Sequence, residues 1–232
     1  AAERRAYREA AEHYSNALVH GISGEQRAET LSELGYCALQ AGDREVAIGW
    51  YRKLIEDSAA HSGLLVPAFL ALGDQHREAK EWKQAEPFYR SARQHADAIG
   101  LEQTVRGEIA FKLGESLYGQ ARFFEAIPFF EESISLAPKA PWSADAAYGL
   151  ATSHGEMENS AGEGKAPAAP SPSQAALNAY RRAADGYAQL IRTTSDASTW
   201  ARAQERLARS KFQIAELTAK NASSKRDYEN LL

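Results

Sequence analysis

One spacing recurs along this chain and constrains its fold more than any other feature. Leu34-Gly35 leads, twelve residues after the glycine, to Ala47, then four on to Tyr51 and three on to Leu54. Leu72-Gly73 leads by the same steps to Ala85, Tyr89 and Ala92, and Leu113-Gly114 to Ala126, Phe130 and Ser133. Four matches at fixed spacing arise by chance on the order of once in ten thousand start positions, so three copies in register are a repeat. Partial copies flank them: Ala10, Tyr14 and Ala17 before, Ala183, Tyr187 and Leu190 after.

Apolar residues recur at three- and four-residue steps almost throughout, and β-branched alternation is nearly absent, which predicts helices. The pattern places them near 3–19, 25–41, 44–58, 63–79, 82–99, 102–120, 123–136, 143–154, 173–194 and 198–220, with a short one at 224–231. Short connections make successive helices antiparallel neighbours. A glycine on the first helix of a pair and an alanine on the second let two backbones approach. The aromatic one turn later fills the space beside the crossing, and Gly42-Asp43 supplies a tight reversal. One pair cannot bury its apolar faces alone, so pairs must stack.

These residues resemble the tetratricopeptide repeat (TPR), with its Leu-Gly, Ala, aromatic and closing proline; Leu136-Ala137-Pro138 matches the last. The resemblance is specific over 28–138 and looser over 1–27 and 139–220. It departs at Ala38, His76 and Leu117, where an aromatic is expected, and in glycine-to-glycine distances of 38, 41 and 35 residues. It implies an all-α, right-handed superhelical α-solenoid of about five antiparallel helix pairs. The repeats run as a partial unit at 1–27, then 28–62, 66–101, 107–140 and 143–196, with capping helices at 198–232, all in a single domain.

Pro87 and Pro128 fall two residues after the repeat alanine. A proline in a helix interior costs ~3 kcal/mol, whereas in the first turn its missing N–H has no partner to lose. We therefore expect those helices to start no earlier than about Lys83 and Phe124. After Gly149 the register breaks, and the Gly-, Pro- and Ser-rich stretch within 155–175 reads as a flexible insertion joining the two helices of one unit. Its GEGKA (162–166) lacks the earlier glycine and the Ser or Thr of a phosphate loop.

The rest of the chain offers little chemistry. Twenty-seven Lys and Arg face 31 Asp and Glu, so no overall basic field favours nucleic acid. The apolar run 63–73 is too short for direct membrane insertion. One cysteine, Cys37, excludes an internal disulfide or a multi-cysteine metal site, and buried inertness is its default. The six histidines lack zinc-site spacing, and His154, Glu156 and Glu158 stand at the mouth of the insertion. No cofactor, metal or catalytic residue is expected. The start at Ala1, without a basic-then-apolar leader, leads us to expect a processed chain or a fragment. Nothing separates cytoplasm from bacterial periplasm or envelope.

What remains is a surface. In proteins of this family the first helix of each pair lines a concave groove that holds a peptide or a partner's helix. Carried onto this chain, that groove presents Ser32, Tyr36, Leu39 and Gln40, then Leu70, Asp74 and Arg77, then Phe111, Glu115 and Tyr118. Packing between repeats is the competing role for the apolar ones. The acidic Asp74 and Glu115, where carboxylate-clamping relatives carry Asn, argue against a chaperone-tail adaptor. The expected function is a non-catalytic protein-protein interaction scaffold or adaptor. The alternatives are a regulatory or assembly module of a larger, bacterial envelope protein, and an enzyme using the insertion as a lid. A homo-oligomer through Trp200, Phe212 and Tyr228 is compatible with this reading.

Overall fold

The structure, a computed structural model, describes residues 2–57, 59–161 and 172–229; side chains are described to 157 in the eighth helix and over 173–222 in the last two. Ten helices occur among the described residues: α1 (Ala2–Val19), α2 (Gly24–Ala41), α3 (Arg44–Glu56), α4 (Ser62–Glu78), α5 (Trp82–Ala98), α6 (Gln103–Gly119), α7 (Phe123–Leu136), α8 (Ser143–Ala161), α9 (Pro172–Thr193) and α10 (Ala197–Glu229). No strand is found among them. The chain divides into two compact units, Ala1–Glu102 and Gln103–Leu232. In the first, α1 to α5 pack consecutively and α2 also touches α4; in the second, α6 to α10 do the same and α6 touches α8.

The repeat spacing is the spacing of one contact. Gly35, Gly73 and Gly114 each stand sixteen residues before an aromatic. A Cβ added at Gly35 would lie 2.4 Å from the Tyr51 ring, at Gly73 2.5 Å from Tyr89, and at Gly114 2.8 Å from Phe130. The glycine thus opens a slot for the ring itself. Gly149 of α8 closes the far side of the Phe130 slot, where a Cβ would sit 2.6 Å from that ring. Tyr51, Tyr89 and Phe130 are almost wholly buried, each contributing about 1.5–3 kcal/mol by burial. Around them lie Ala28, Leu31, Ala47 and Leu54 in the first unit, and Leu117, Ala126, Ile134 and Ala147 in the second.

The reversals inside the pairs share one geometry. Gly42 is left-handed at φ 86°, its N–H donating to the Leu39 carbonyl at 3.0 Å and the Asp43 N–H to Ala38 at 2.9 Å. Lys80 and Ala121 adopt the same conformation at φ 59° and 58°. Glu81 there donates to His76 at 2.9 Å and Arg122 to Leu117 at 3.0 Å. This is the Schellman pattern that satisfies the last helical carbonyls. Two of the three turns make it without glycine.

The structure corrects three expectations. Pro87 and Pro128 are not in the first turn: α5 begins at Trp82 and α7 at Phe123, which makes each proline the sixth helical residue. Pro67 holds the same position in α4. All three prolines are exposed, as are Gly63, Lys83 and Phe124 four residues earlier, so the carbonyls that lose a donor lie on the solvent side. Second, α8 continues past 154 to Ala161, because Glu, Met and Ala carry the helix through Gly155. The centre of the expected insertion, 162–171, lies outside the described residues. Third, α10 is one helix of 33 residues, with no break between 220 and 224.

Candidate functional site

In the first unit α2 turns one line of residues outward: Glu25, Glu29, Glu33, Tyr36 and Gln40 are all exposed, with Ser32 half-buried beside them. Tyr36, 48% exposed, meets the Tyr7 ring of α1 edge-on at a centroid distance of 6.0 Å. Leu39 turns inward and packs against the core. On α4, Leu70, Asp74 and Arg77 are half-buried on that helix's outward side. Asp74 Oδ1 accepts from the Tyr89 hydroxyl at 2.7 Å and from Arg77 Nε at 3.3 Å. Burial and the Asp74 carboxylate together push the Tyr89 phenol far above its ordinary range. Asp74 therefore fixes the slotted ring as well as facing outward.

In the second unit the three expected residues part company. Phe111 is 9% exposed and lies in the core, 6.4 Å from the Phe130 ring; it takes the packing role rather than facing outward. Glu115 is half-buried, and half-buried Tyr118 rests edge-on against Phe123 at 5.2 Å.

A cavity that sequence reasoning missed lies where α8, α9 and α10 meet. It measures about 630 Å³ and is lined chiefly by Tyr148, Thr152, Tyr180, Arg209 and Phe212. Tyr148 and Tyr180 stand edge to face at 5.7 Å, and the Arg206 guanidinium covers the Tyr148 ring at 4.6 Å. Phe212 is 65% exposed. The missed signal is the step Leu207-Ala208, which imitates Leu-Gly on α10 and puts Phe212 at the position held by Leu39, Arg77 and Tyr118. On α8 the lining residues stand one before and three after Gly149, whereas Ala146 and Ser153, in the expected register, are buried.

Groups with chemical potential are engaged in structure. His76 Nδ1 pairs with Glu81 at 2.7 Å and its ring stacks on Phe88. His95 Nδ1 meets Ser62 Oγ at 3.0 Å and stacks on Phe69. Burial pushes the Cys37 thiol up, with Glu33 adding to the effect. Burial pulls His154 down; the Glu158 side chain, considered with it, lies outside the described residues. Among the described residues no three His, Cys, Asp or Glu side chains gather as for a metal, and no helix is long and apolar enough to cross a membrane.

No family model and no curated protein matches this sequence. Solved structures do. A double mutant of MamA from Desulfovibrio magneticus RS-1 is similar with TM-score 0.57 and 15% identity, over 80% of this chain and 88% of that one. BtubC from P. vanneervenii is similar at 0.55 and 16%, over 99% and 91%. The apo form of RapI is similar at 0.61 and 12%, over 93% of this chain; the chain spans 55% of RapI. All three are TPR-like helical repeat proteins. With its slotted rings and consecutive helix pairs, the chain has the TPR-like helical-repeat fold.

Proposed function

We propose that this protein is a non-catalytic scaffold that holds segments of a partner protein against the outward faces of its first helices: Tyr36, Gln40, Leu70 and Arg77 in one unit, and the α8–α10 cavity in the other. One observation carries the reading. Large aromatics stand exposed on first helices, Phe212 at 65% on the rim of the cavity and Tyr36 at 48%, whereas the repeat aromatics Tyr51, Tyr89 and Phe130 of the second helices are buried. Exposed aromatics beside polar groups are what protein-binding surfaces use as anchors. A groove of helices suits an extended or helical segment with spaced apolar side chains. The TPR-like neighbours support a protein-interaction role.

Affinity capture from the native host tests this, comparing wild type with Tyr36→Ser/Leu70→Ser and with Tyr148→Ser/Phe212→Ser. Loss of a specifically captured protein, with helicity retained, is the expected result. Capture unchanged by both pairs would refute it. Phe111 is unsuitable for this purpose because its substitution would open the core.

A further inference from the structure

Within the second unit, the connection between α7 and α8 meets α9 around a cavity of about 290 Å³. Its walls include Lys139 of the connection, Ser143 and Ala144 of the first turn of α8, and Arg182, Asp185 and Gly186 of α9. None of these residues lines the α8–α10 cavity. Lys139 and Arg182 are exposed, and neither has an ion-pair partner among the described residues. Asp185 is the acid of the lining and offsets one cation of the two. The Asp145 carboxylate, also in the first turn of α8, is taken by the Tyr187 hydroxyl at 2.6 Å.

The start of α8 supplies donors. The Ser143 N–H donates to the Ala140 carbonyl at 3.0 Å, and the Ala146 N–H to the Trp142 carbonyl at 2.8 Å. Between them the Ala144 and Asp145 N–H groups make no such bond among the described residues, as in any first helical turn. The dipole of this 19-residue helix adds positive potential at the same end. A separate observation points to a ligand. Ser143 is 8% exposed, yet its hydroxyl has no hydrogen-bond partner among the described residues. Serine at a helix start ordinarily caps an N–H two or three residues on. This one does not, and a buried hydroxyl left unmatched is costly. Gly186 keeps the approach open: a Cβ there would lie 2.8 Å from the Ala144 Cβ and 3.8 Å from its nitrogen.

We propose that this cavity binds a phosphate group, either the free anion or a monoester carried on a partner protein's side chain. Lys139 and Arg182 balance its charge, and the Ser143 hydroxyl and the Ala144 N–H donate to its oxygens. A helix N-terminus flanked by cations is a general solution for holding an oxyanion. A dianion matches two cations, and its several acceptor oxygens suit donors spread over a connection and two helices. The site stands apart from the scaffold surfaces and adds a second ligand to them.

Titration of the full chain with inorganic phosphate at constant ionic strength, followed through the amide resonances of isotopically labelled protein, tests it. Saturable shifts at Ser143, Ala144 and Asp145 are expected, with Kd below about 10 mM. Lys139→Ala/Arg182→Ala should weaken binding at least about tenfold, and Ser143→Ala about threefold. Asp185→Asn removes a repelling charge and should tighten binding about twofold. Arg181→Ala/Arg192→Ala takes the same charge from exposed positions of α9 outside the cavity and should change binding less than about twofold. The substituted Lys, Arg and Asp positions are exposed, so these variants should fold, and circular dichroism checks that. A short peptide carrying one phosphoserine separates the sources. Tighter binding than inorganic phosphate assigns the group to a partner protein, and equal or weaker binding assigns the free anion. The proposal would be overturned by the absence of a saturable shift up to about 50 mM phosphate. Affinity unchanged in Lys139→Ala/Arg182→Ala, or an equal loss in Arg181→Ala/Arg192→Ala, would overturn it as well.

Discussion

The Tyr89 hydroxyl donates to Asp74 Oδ1 at 2.7 Å, tying the ring that fills the Gly73 slot to the residue immediately after that glycine. In the second unit the buried Tyr187 hydroxyl likewise donates to a carboxylate, Asp145 Oδ1, at 2.6 Å, without a glycine slot. Tyr89→Phe leaves Asp74 with Arg77 and should cost about 1 kcal/mol, whereas Asp74→Ala strands a buried hydroxyl and should cost about 1–3 kcal/mol. Urea denaturation of both variants would measure the difference. The reverse ranking would mean that the hydroxyl is not held by this carboxylate.

Glycines at slot and non-slot positions should respond in opposite directions. Gly73→Ala places a methyl group 2.5 Å from a Tyr89 ring carbon, and the displaced ring should cost about 2–3 kcal/mol. Gly49 of α3 is exposed and has open space around it, so Gly49→Ala should stabilise by about 0.5–1 kcal/mol through helix propensity. Thermal melts of the two single variants, shifted in opposite senses, are the expected outcome.

The turns carry a correctable strain. Lys80 and Ala121 hold the left-handed conformation that Gly42 adopts freely in the equivalent place. A side chain there costs about 1–2 kcal/mol, partly offset by the greater chain freedom that glycine loses on folding. Ala121→Gly should therefore raise the denaturation midpoint modestly, by the equivalent of about 0.5–1 kcal/mol. A lowered midpoint would contradict the turn geometry.

The legible part of the fold was the part encoded at short range. Within each of the three pairs the glycine and the ring it admits are sixteen residues apart, so the helix pairs and their register could be read from Leu34-Gly35 to Phe130 without knowing how the pairs stack. The turn at Ala121 escaped because nothing in the residue announces a positive φ when the hydrogen bonds of the helix end impose it. Asn221-Ala222-Ser223-Ser224 looks like an ending, yet none of these residues is a strong enough breaker to stop α10. Of the residues carried onto the groove, Tyr36 is exposed and Leu70, Asp74 and Arg77 are half-buried, whereas Phe111, in the same register as Leu70, is buried against Phe130. The α8–α10 cavity was hidden because alanine replaces the repeat glycine at Ala208.

Acid should act on the start of α10. Asp196 accepts there from Ser198 Oγ and from the Thr199 N–H, both at 2.6 Å, and these bonds hold its carboxyl down at about 2. The unfolded value is about 3.9. A depressed carboxyl contributes stability that is complete above the unfolded value and is lost as pH falls through the folded one. The first turn of α10 should therefore loosen between about pH 4 and pH 2. Amide exchange at Trp200 should accelerate across that window in wild type, and already be fast and less pH-dependent in Asp196→Ala. Equal protection in both proteins would remove the cap.

Where a partner touches the proposed scaffold is the question on which the account stands, and site-specific photocrosslinking answers it most directly. A crosslinking residue replaces Tyr36 or Phe212 on the first helices or, as controls, Val46 or Phe124, which are 54% and 74% exposed on the second helices. The account predicts adducts with the same partner protein from positions 36 and 212, and few from 46 and 124. Adducts from 46 and 124 with none from 36 and 212 would contradict it and move the binding surface to the second helices.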